Sequence, residues 1–280
     1  MQGMAEKERF VSAETNTLTE DNMKKTAIIT GASSGIGRQF ALSLAEHGTY
    51  DEVWVIARNT ERLEQLKSEM PFPVKAIPMD LQGKEYAENF KKLLEEEKPD
   101  ISLLMNCAGF GIFDSVESTS FENNLGMIDL NCSALTAMTL LSLPYMSEGS
   151  EIINIASVAA FQPIPYINIY AASKAYVLYF SRALNRELKS RGIRVFAVCP
   201  FWTKSRFFDR AIEKDKEPVV KKYVAMYTPD YIVKTTWKAM KNKRKDYVIP
   251  GFKARMQAFG VKLLPHTMVM SVWQKQQRLK

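Results

Sequence analysis

The turn Thr30-Gly31-Ala32-Ser33-Ser34-Gly35-Ile36-Gly37 constrains this chain more than any other stretch, because of what flanks it. Before it, Thr26 to Thr30 is short and apolar, as a buried parallel strand is. After it, Ile36, Phe40 and Leu44 recur on one helix face, and His47-Gly48 ends the run. Glycines at the second, sixth and eighth places of such a turn let the backbone approach a pyrophosphate closely. The helix that follows offers free N–H groups and the positive end of its dipole. The spacing is not GxGxxG, so it is the position between first strand and first helix that favours a nucleotide.

The alternation continues. Strands are expected at Val53 to Ala57, Val74 to Met79, Ile101 to Met105, Glu151 to Ala156, Arg194 to Val198 and Tyr247 to Ile249. Helical stretches fall near 60–69, 84–96, 121–145 and 169–190, and Thr228-Pro229-Asp230 starts another with a cap and an N1 proline. The pattern predicts an α/β chain with a Rossmann-like, doubly wound, mostly parallel sheet of seven strands and helices on both faces. Ligands on such sheets bind beyond the carboxyl ends of the strands.

With 280 residues and 46% hydrophobic content, one core is expected. Residues 1–22 are polar and aperiodic, read as a flexible N-terminal extension without the apolar core of a signal peptide. Residues 23–250 form the domain, and 251–280 a C-terminal helical extension packing on it. The stretch Phe252 to Trp273 leaves three roles open: an interfacial amphipathic segment in peripheral membrane contact, a cover over the site, or a packing helix. No run approaches the ~18 apolar residues of a membrane span. Cys107, Cys132 and Cys199 are too few and scattered for a disulfide framework, and no Cys/His pairing points to a metal. An intracellular, reducing, cytoplasmic setting follows. The net charge of +7 suits an anionic cofactor, a nucleic acid or an anionic membrane. Lys241, Lys243, Arg244 and Lys245 form the densest basic cluster, read as a solvated face because no nucleic-acid motif accompanies it.

Tyr170-Ala171-Ala172-Ser173-Lys174 sets a phenol and an ammonium on one helix face. A cation ~4 Å from a tyrosine favours the phenolate by about 4 kcal/mol at an effective dielectric near 20, roughly three pKa units. A tyrosine shifted that far exchanges a proton with an alcohol or ketone near neutral pH. Alone, such a pair is usually an amphipathic surface. The glycine turn and the Tyr170/Lys174 pair together give TGxxxGxG and YxxxK, and on them the chain resembles the short-chain dehydrogenase/reductase family over about Lys24 to Pro250.

The resemblance extends to Asn106-Cys107-Ala108-Gly109, where the family usually has Asn-Asn-Ala-Gly beside the cofactor. It also covers Ser157, thirteen residues before Tyr170, and Asn131. It implies a catalytic set of Asn131, Ser157, Tyr170 and Lys174, with Ser157 donating to the substrate oxygen and Tyr170 handling its proton. Lys174 would tune Tyr170 and hold the nicotinamide ribose, and Asn131 would support a water linked to the lysine. Cofactor contacts are implied for Gly31, Ser33, Ser34, Gly35, Ile36, Gly37, Asp80, Leu81, Asn106, Ala108, Gly109 and Thr203. One departure is Pro200-Phe201-Trp202-Thr203-Lys204-Ser205, where the family usually has Pro-Gly. Phe201 cannot use glycine-only angles there.

Ala57-Arg58-Asn59 ends the second strand without a carboxylate, and Arg58 favours the 2′-phosphate of NADP, with Ser33 and Arg38 as candidate helpers. Expected pocket borders are Phe110 to Phe113, Phe161 to Ile167 and Trp202 to Tyr227, rich in aromatic and aliphatic residues. They suit an apolar secondary alcohol or ketone: a steroid, bile acid, fatty acyl or aromatic carbonyl compound. The alternatives are a 3-ketoacyl-carrier-type reductase and a non-catalytic NADP-binding sensor. The resemblance further implies a homodimer or homotetramer through the helices after the fourth and fifth strands.

Overall fold

The computed structural model describes residues 23–211 and 218–279; the expected extension at 1–22 lies outside the described residues. Strand β1 (Lys25–Thr30) leads through the glycine turn into α1 (Gly35–Leu42), then β2 (Glu52–Ala57), α2 (Thr60–Glu69), β3 (Val74–Pro78), α3 (Glu85–Glu97) and β4 (Asp100–Asn106). A long helical run holds α4 (Phe121–Ile128), a wider π turn (Asp129–Ala134) and α5 (Leu135–Ser142). It is followed by β5 (Glu151–Ile155), α6 (Asn168–Glu187), β6 (Arg194–Val198), α7 (Phe207–Ala211), α8 (Pro229–Met240), β7 (Tyr247–Val248), α9 (Phe252–Leu263) and α10 (His266–Gln277).

All strand pairs are parallel, in the order β3-β2-β1-β4-β5-β6-β7. The expected doubly wound, seven-stranded sheet is therefore what the chain forms. Successive β1 residues point to opposite faces, so Ala27 and Ile29 join one buried cluster with Phe40, Val55 and Trp237. Ile28 joins the other with Trp54, Phe90, Leu104 and Met138. Both faces are covered by helices, which is why the strands read as unbroken apolar runs. Strand order reverses beside β1, between β1 and β4, and the crevice opens at the carboxyl ends there.

The run Phe121–Tyr145 does reach the length and mean hydropathy of a membrane span. Its position argues for a core helix instead: Ala134, Leu135 and Met138 are buried in apolar clusters, and Asn131 and Thr139 make hydrogen bonds inside the fold. The C-terminal stretch forms two helices. Pro265 has no N–H to donate and separates α9 from α10.

Candidate active site

The glycine turn is built for close backbone approach. Gly31 has φ of 66°, and a Cβ there would lie 2.7 Å from the Ala108 nitrogen. At Gly37 a Cβ would lie 2.5 Å from the Gly31 oxygen. Thr30 fastens the turn to the next loop, its Oγ1 accepting from the backbone N–H groups of Cys107 at 3.1 Å and Ala108 at 3.2 Å. No side chain caps the start of α1, so its first N–H groups face the crevice without an internal partner from Ser34. A concave turn of backbone that any side chain would fill, at an uncapped helix start, fits a dinucleotide pyrophosphate.

A cavity of about 870 Å3 runs from this turn into the substrate region. Gly31, Ser33, Ser34, Gly35, Ile36, Gly37, Arg58, Asp80, Leu81, Ala108, Gly109, Ser157, Tyr170, Lys174 and Thr203 all line it. Asn106 and Asn131 do not. The Asn106 amide donates to Thr139 Oγ1 at 3.0 Å and Asn154 Oδ1 at 2.9 Å, and Asn154 donates on to Ser181 Oγ at 2.9 Å. This buried polar ladder joins two strands and two helices, and its cost in desolvation is met only because nearly every member has a partner. Asn106 therefore supports the loop from behind rather than reaching the cavity.

Asn131 stands one layer behind the lysine. The π turn projects its side chain toward the β4 loop, where Nδ2 donates to the Phe110 oxygen at 2.8 Å and to Ser173 Oγ at 3.0 Å. Its Oδ1 accepts from the Phe110 nitrogen at 3.0 Å. Gly109 must be glycine because a Cβ there would lie 2.8 Å from that same Oδ1.

Tyr170 and Lys174 share the inner face of α6, as their spacing requires. Burial pushes the Tyr170 hydroxyl up to about 12, and a hydrogen bond with Ser157 acts in the opposite direction. Lys174 Nζ donates to the Ile155 oxygen at 2.8 Å and lies 5.7 Å from the centre of the Tyr170 ring. Burial holds its pKa down at about 8. Lys174 is expected to favour the phenolate, and burial of Tyr170 works against that effect. Both groups are deeply enclosed, desolvation is the larger effect on each, and the cation lies near the Tyr170 ring and against the Ile155 carbonyl. Burial thus favours the protonated hydroxyl of Tyr170, beside that of Ser157.

The substrate end is an aromatic box. Phe113 packs against Tyr170, Trp202, Phe207 and Phe208 with ring centres 5.7 to 6.3 Å apart. Phe201 does not have a positive φ, so its side chain brings no backbone strain there. Its side chain joins Val158, Ala254 and Ala258, anchoring α9 to the body. From α9, α10 and the link between them come Val261, Leu264, Val269, Val272 and Trp273 as cavity wall, and Trp273 Nε1 donates to the Pro165 oxygen at 3.0 Å. The stretch therefore both packs on the body and contributes to the cavity wall. Sequence reasoning missed these wall residues, whose only signal was the apolar spacing at 261, 269 and 273.

At the other end, Arg58 is 59% exposed, with Asp80 at 4.0 Å. Arg62, also on the cavity, was not anticipated. Arg38 is engaged by both oxygens of Glu69 at 2.7 Å and is absent from the lining, which removes it as a helper.

The fold and site define a dinucleotide-binding oxidoreductase. The family profile described as short chain dehydrogenase matches residues 25–216. The chain belongs to the short-chain dehydrogenase/reductase family. It is 30% identical over 256 residues to the very-long-chain 3-oxoacyl-CoA reductase of Bos taurus, covering 88% of this chain and 73% of that one. Among solved structures, a short-chain dehydrogenase from Sphingobium yanoikuyae in complex with NADPH superposes with a TM-score of 0.71 at 30% identity, covering 84% of this chain and 92% of that one. A bulky-bulky ketone specific alcohol dehydrogenase from Comamonas testosteroni gives a TM-score of 0.66 at 27% identity, covering 81% and 86%. Other solved neighbours hold NADP or NAD.

Proposed function

We infer that this protein is an NADP(H)-dependent oxidoreductase that interconverts a secondary alcohol and a ketone on an apolar substrate. The observation carrying this reading is the pair of Ser157 and Tyr170 hydroxyls inside an aromatic cavity continuous with the phosphate-binding turn. The nicotinamide, when bound, supplies or accepts the hydride. In the direction of reduction, Ser157 donates a hydrogen bond to the carbonyl oxygen. Tyr170, fully protonated at neutral pH, gives that oxygen its proton as charge develops there. The Lys174 cation favours the phenolate left behind, and Asn131 positions the Phe110 loop and Ser173 rather than touching the reacting atoms.

NADP is favoured by Arg58, which is exposed and lies on the cavity at the end of β2, where the strand itself ends without a carboxylate and Asp80 stands 4.0 Å away. Arg62 adds a second cation. The direct test is a panel of steroid, fatty acyl and aromatic ketones followed by NADPH and NADH absorbance. Preference for NADPH that shrinks at least tenfold in Arg58→Ala supports the reading, and an NADH preference surviving in that variant contradicts it.

A second substrate reading, a 3-oxoacyl thioester, is favoured by Arg206, Arg210 and Lys222 on the cavity lining and by the bovine relative's activity. It requires turnover to fall when Arg206 and Lys222 are replaced by glutamine. Exposed Phe121, Leu125, Ile128, Leu140, Tyr176 and Tyr179 on α4, α5 and α6 supply a surface for a homodimer. Three free thiols suit a reducing, cytoplasmic setting.

A further inference from the structure

The C-terminal helices have two apolar faces, and the cavity uses only one. On α9, Ala254, Ala258 and Val261 are buried toward the body. Phe252, Met256, Phe259 and Leu263 recur at the same helical interval on the opposite face, exposed by 68, 54, 60 and 69%. Leu264, Met268 and Val272, each at least 44% exposed, extend the apolar area past Pro265 and along α10. Scattered exposed apolar residues need no explanation, but seven within 21 residues on one helix pair do.

The charge around this surface is one-sided. From Tyr247 to Lys280 the sequence contains no Asp or Glu, while Lys253, Arg255, Lys262, Lys275, Arg278 and Lys280 are all basic. At ~100° per residue, Lys253 falls on one flank of the α9 stripe, and Arg255 and Lys262 fall on the other. Long basic side chains on the flanks of an apolar stripe can bury their stems while the charged ends reach anionic headgroups. A second copy is a poorer match, since pairing this face with itself would set cation against cation. The exposed apolar face on α4 differs, with Glu122 at its start and Asp129 just beyond its end.

We propose that the α9–α10 face docks the enzyme on membranes containing anionic phospholipid. Leu264 and Val272 belong both to the exposed surface and to the cavity wall, so the docked face borders the cavity. That placement deepens the apolar-substrate reading by giving such a substrate a short route from lipid, but the docking itself stands without it.

The test uses the full chain in flotation with vesicles of phosphatidylcholine and phosphatidylglycerol, against vesicles of phosphatidylcholine alone. Binding to the mixed vesicles is expected, and it falls at least about tenfold at ~1 M salt, where the screening length is ~3 Å. The triple variant Met256→Ser, Phe259→Ser, Leu263→Ser and the pair Lys253→Glu, Arg255→Glu each lose about tenfold or more in binding while keeping the wild-type melting temperature. No flotation with the mixed vesicles, or equal binding to neutral ones, overturns the proposal. So does a lipid-free dimer in sedimentation equilibrium that the triple variant dissociates. None of these readouts uses turnover, so their failure leaves the reductase reading intact, and failure of that reading leaves them unchanged.

Discussion

Replacing Gly111 by alanine tests whether the position of the Tyr170 ring controls turnover. A Cβ on Gly111 would lie 2.6 Å from Tyr170 Cδ2, 2.9 Å from its Cγ and 3.1 Å from Phe207 Cζ. Ordinary contact begins at 3.4 Å, so the ring must retreat by about 0.8 Å. Phe207 is already against the same Cβ, and its ring centre is 5.5 Å from that of Tyr170, so the displacement cannot be shared cheaply. Gly111 has no positive φ, and alanine brings no backbone strain. A ~1 Å misplacement of a reacting group costs on the order of 100-fold, or about 2.7 kcal/mol of barrier. Overpacking adds about 1–3 kcal/mol of lost stability. The assay is single-turnover NADPH oxidation with saturating ketone, alongside NADPH binding by fluorescence. A fall of roughly 100-fold in the chemical step with near-normal cofactor affinity is expected. A folded Gly111→Ala protein with a rate within about twofold of wild type would refute the link between ring position and turnover.

Thr30→Val removes the acceptor that holds Cys107 and Ala108, leaving two N–H groups unpaired at about 1–3 kcal/mol each, and calorimetry should show a melting temperature lower by roughly 5–10 °C. Lys174, held at about 8 by burial, loses its charge above that pH, so kcat/KM with the cofactor varied should fall as pH rises through about 8. A flat profile to pH 9.5 would contradict it. Burial would raise the Glu151 carboxyl, but His47 at 2.8 Å and Lys243 at 3.2 Å overcome this and hold it at about 2. Its folded value lies below the unfolded 4.5, so its stabilising contribution is present above pH 4.5 and lost as pH falls toward 2. Glu151→Gln should therefore cost about 3 kcal/mol at pH 7 and flatten the denaturation midpoint over that acid range.

The sheet was readable because its strands are buried on both faces, and Ile28, Leu104 or Val195 could lie nowhere else. Tyr170 and Lys174 were readable because four residues on a helix is a geometric statement, and the structure gives both to the same cavity. What escaped depends on partners far away in the chain. Asn106 turns from the cavity because Thr139 and Asn154 are waiting for it across the sheet. Arg38 looked available until Glu69, on the next helix, claimed it. Phe201 looked like a defect in a glycine loop, yet it is the residue on which Ala254 and Ala258 seat α9. Local spacing encodes faces; it does not encode which distant group will compensate a buried amide or charge. The raising effect of burial on Tyr170 was not legible for the same reason, since burial is a sum over the whole enclosure.

The central claim is that Tyr170 gives the substrate its proton. It is tested most directly by Tyr170→Phe, which keeps the ring packing against Phe113 and Phe207 and removes only the hydroxyl. Single-turnover oxidation of bound NADPH by a ketone that the wild type reduces should fall by at least ~100-fold, the lower end for general-acid catalysis, with NADPH affinity within about threefold of wild type. Turnover by Tyr170→Phe equal to the wild type would contradict the account.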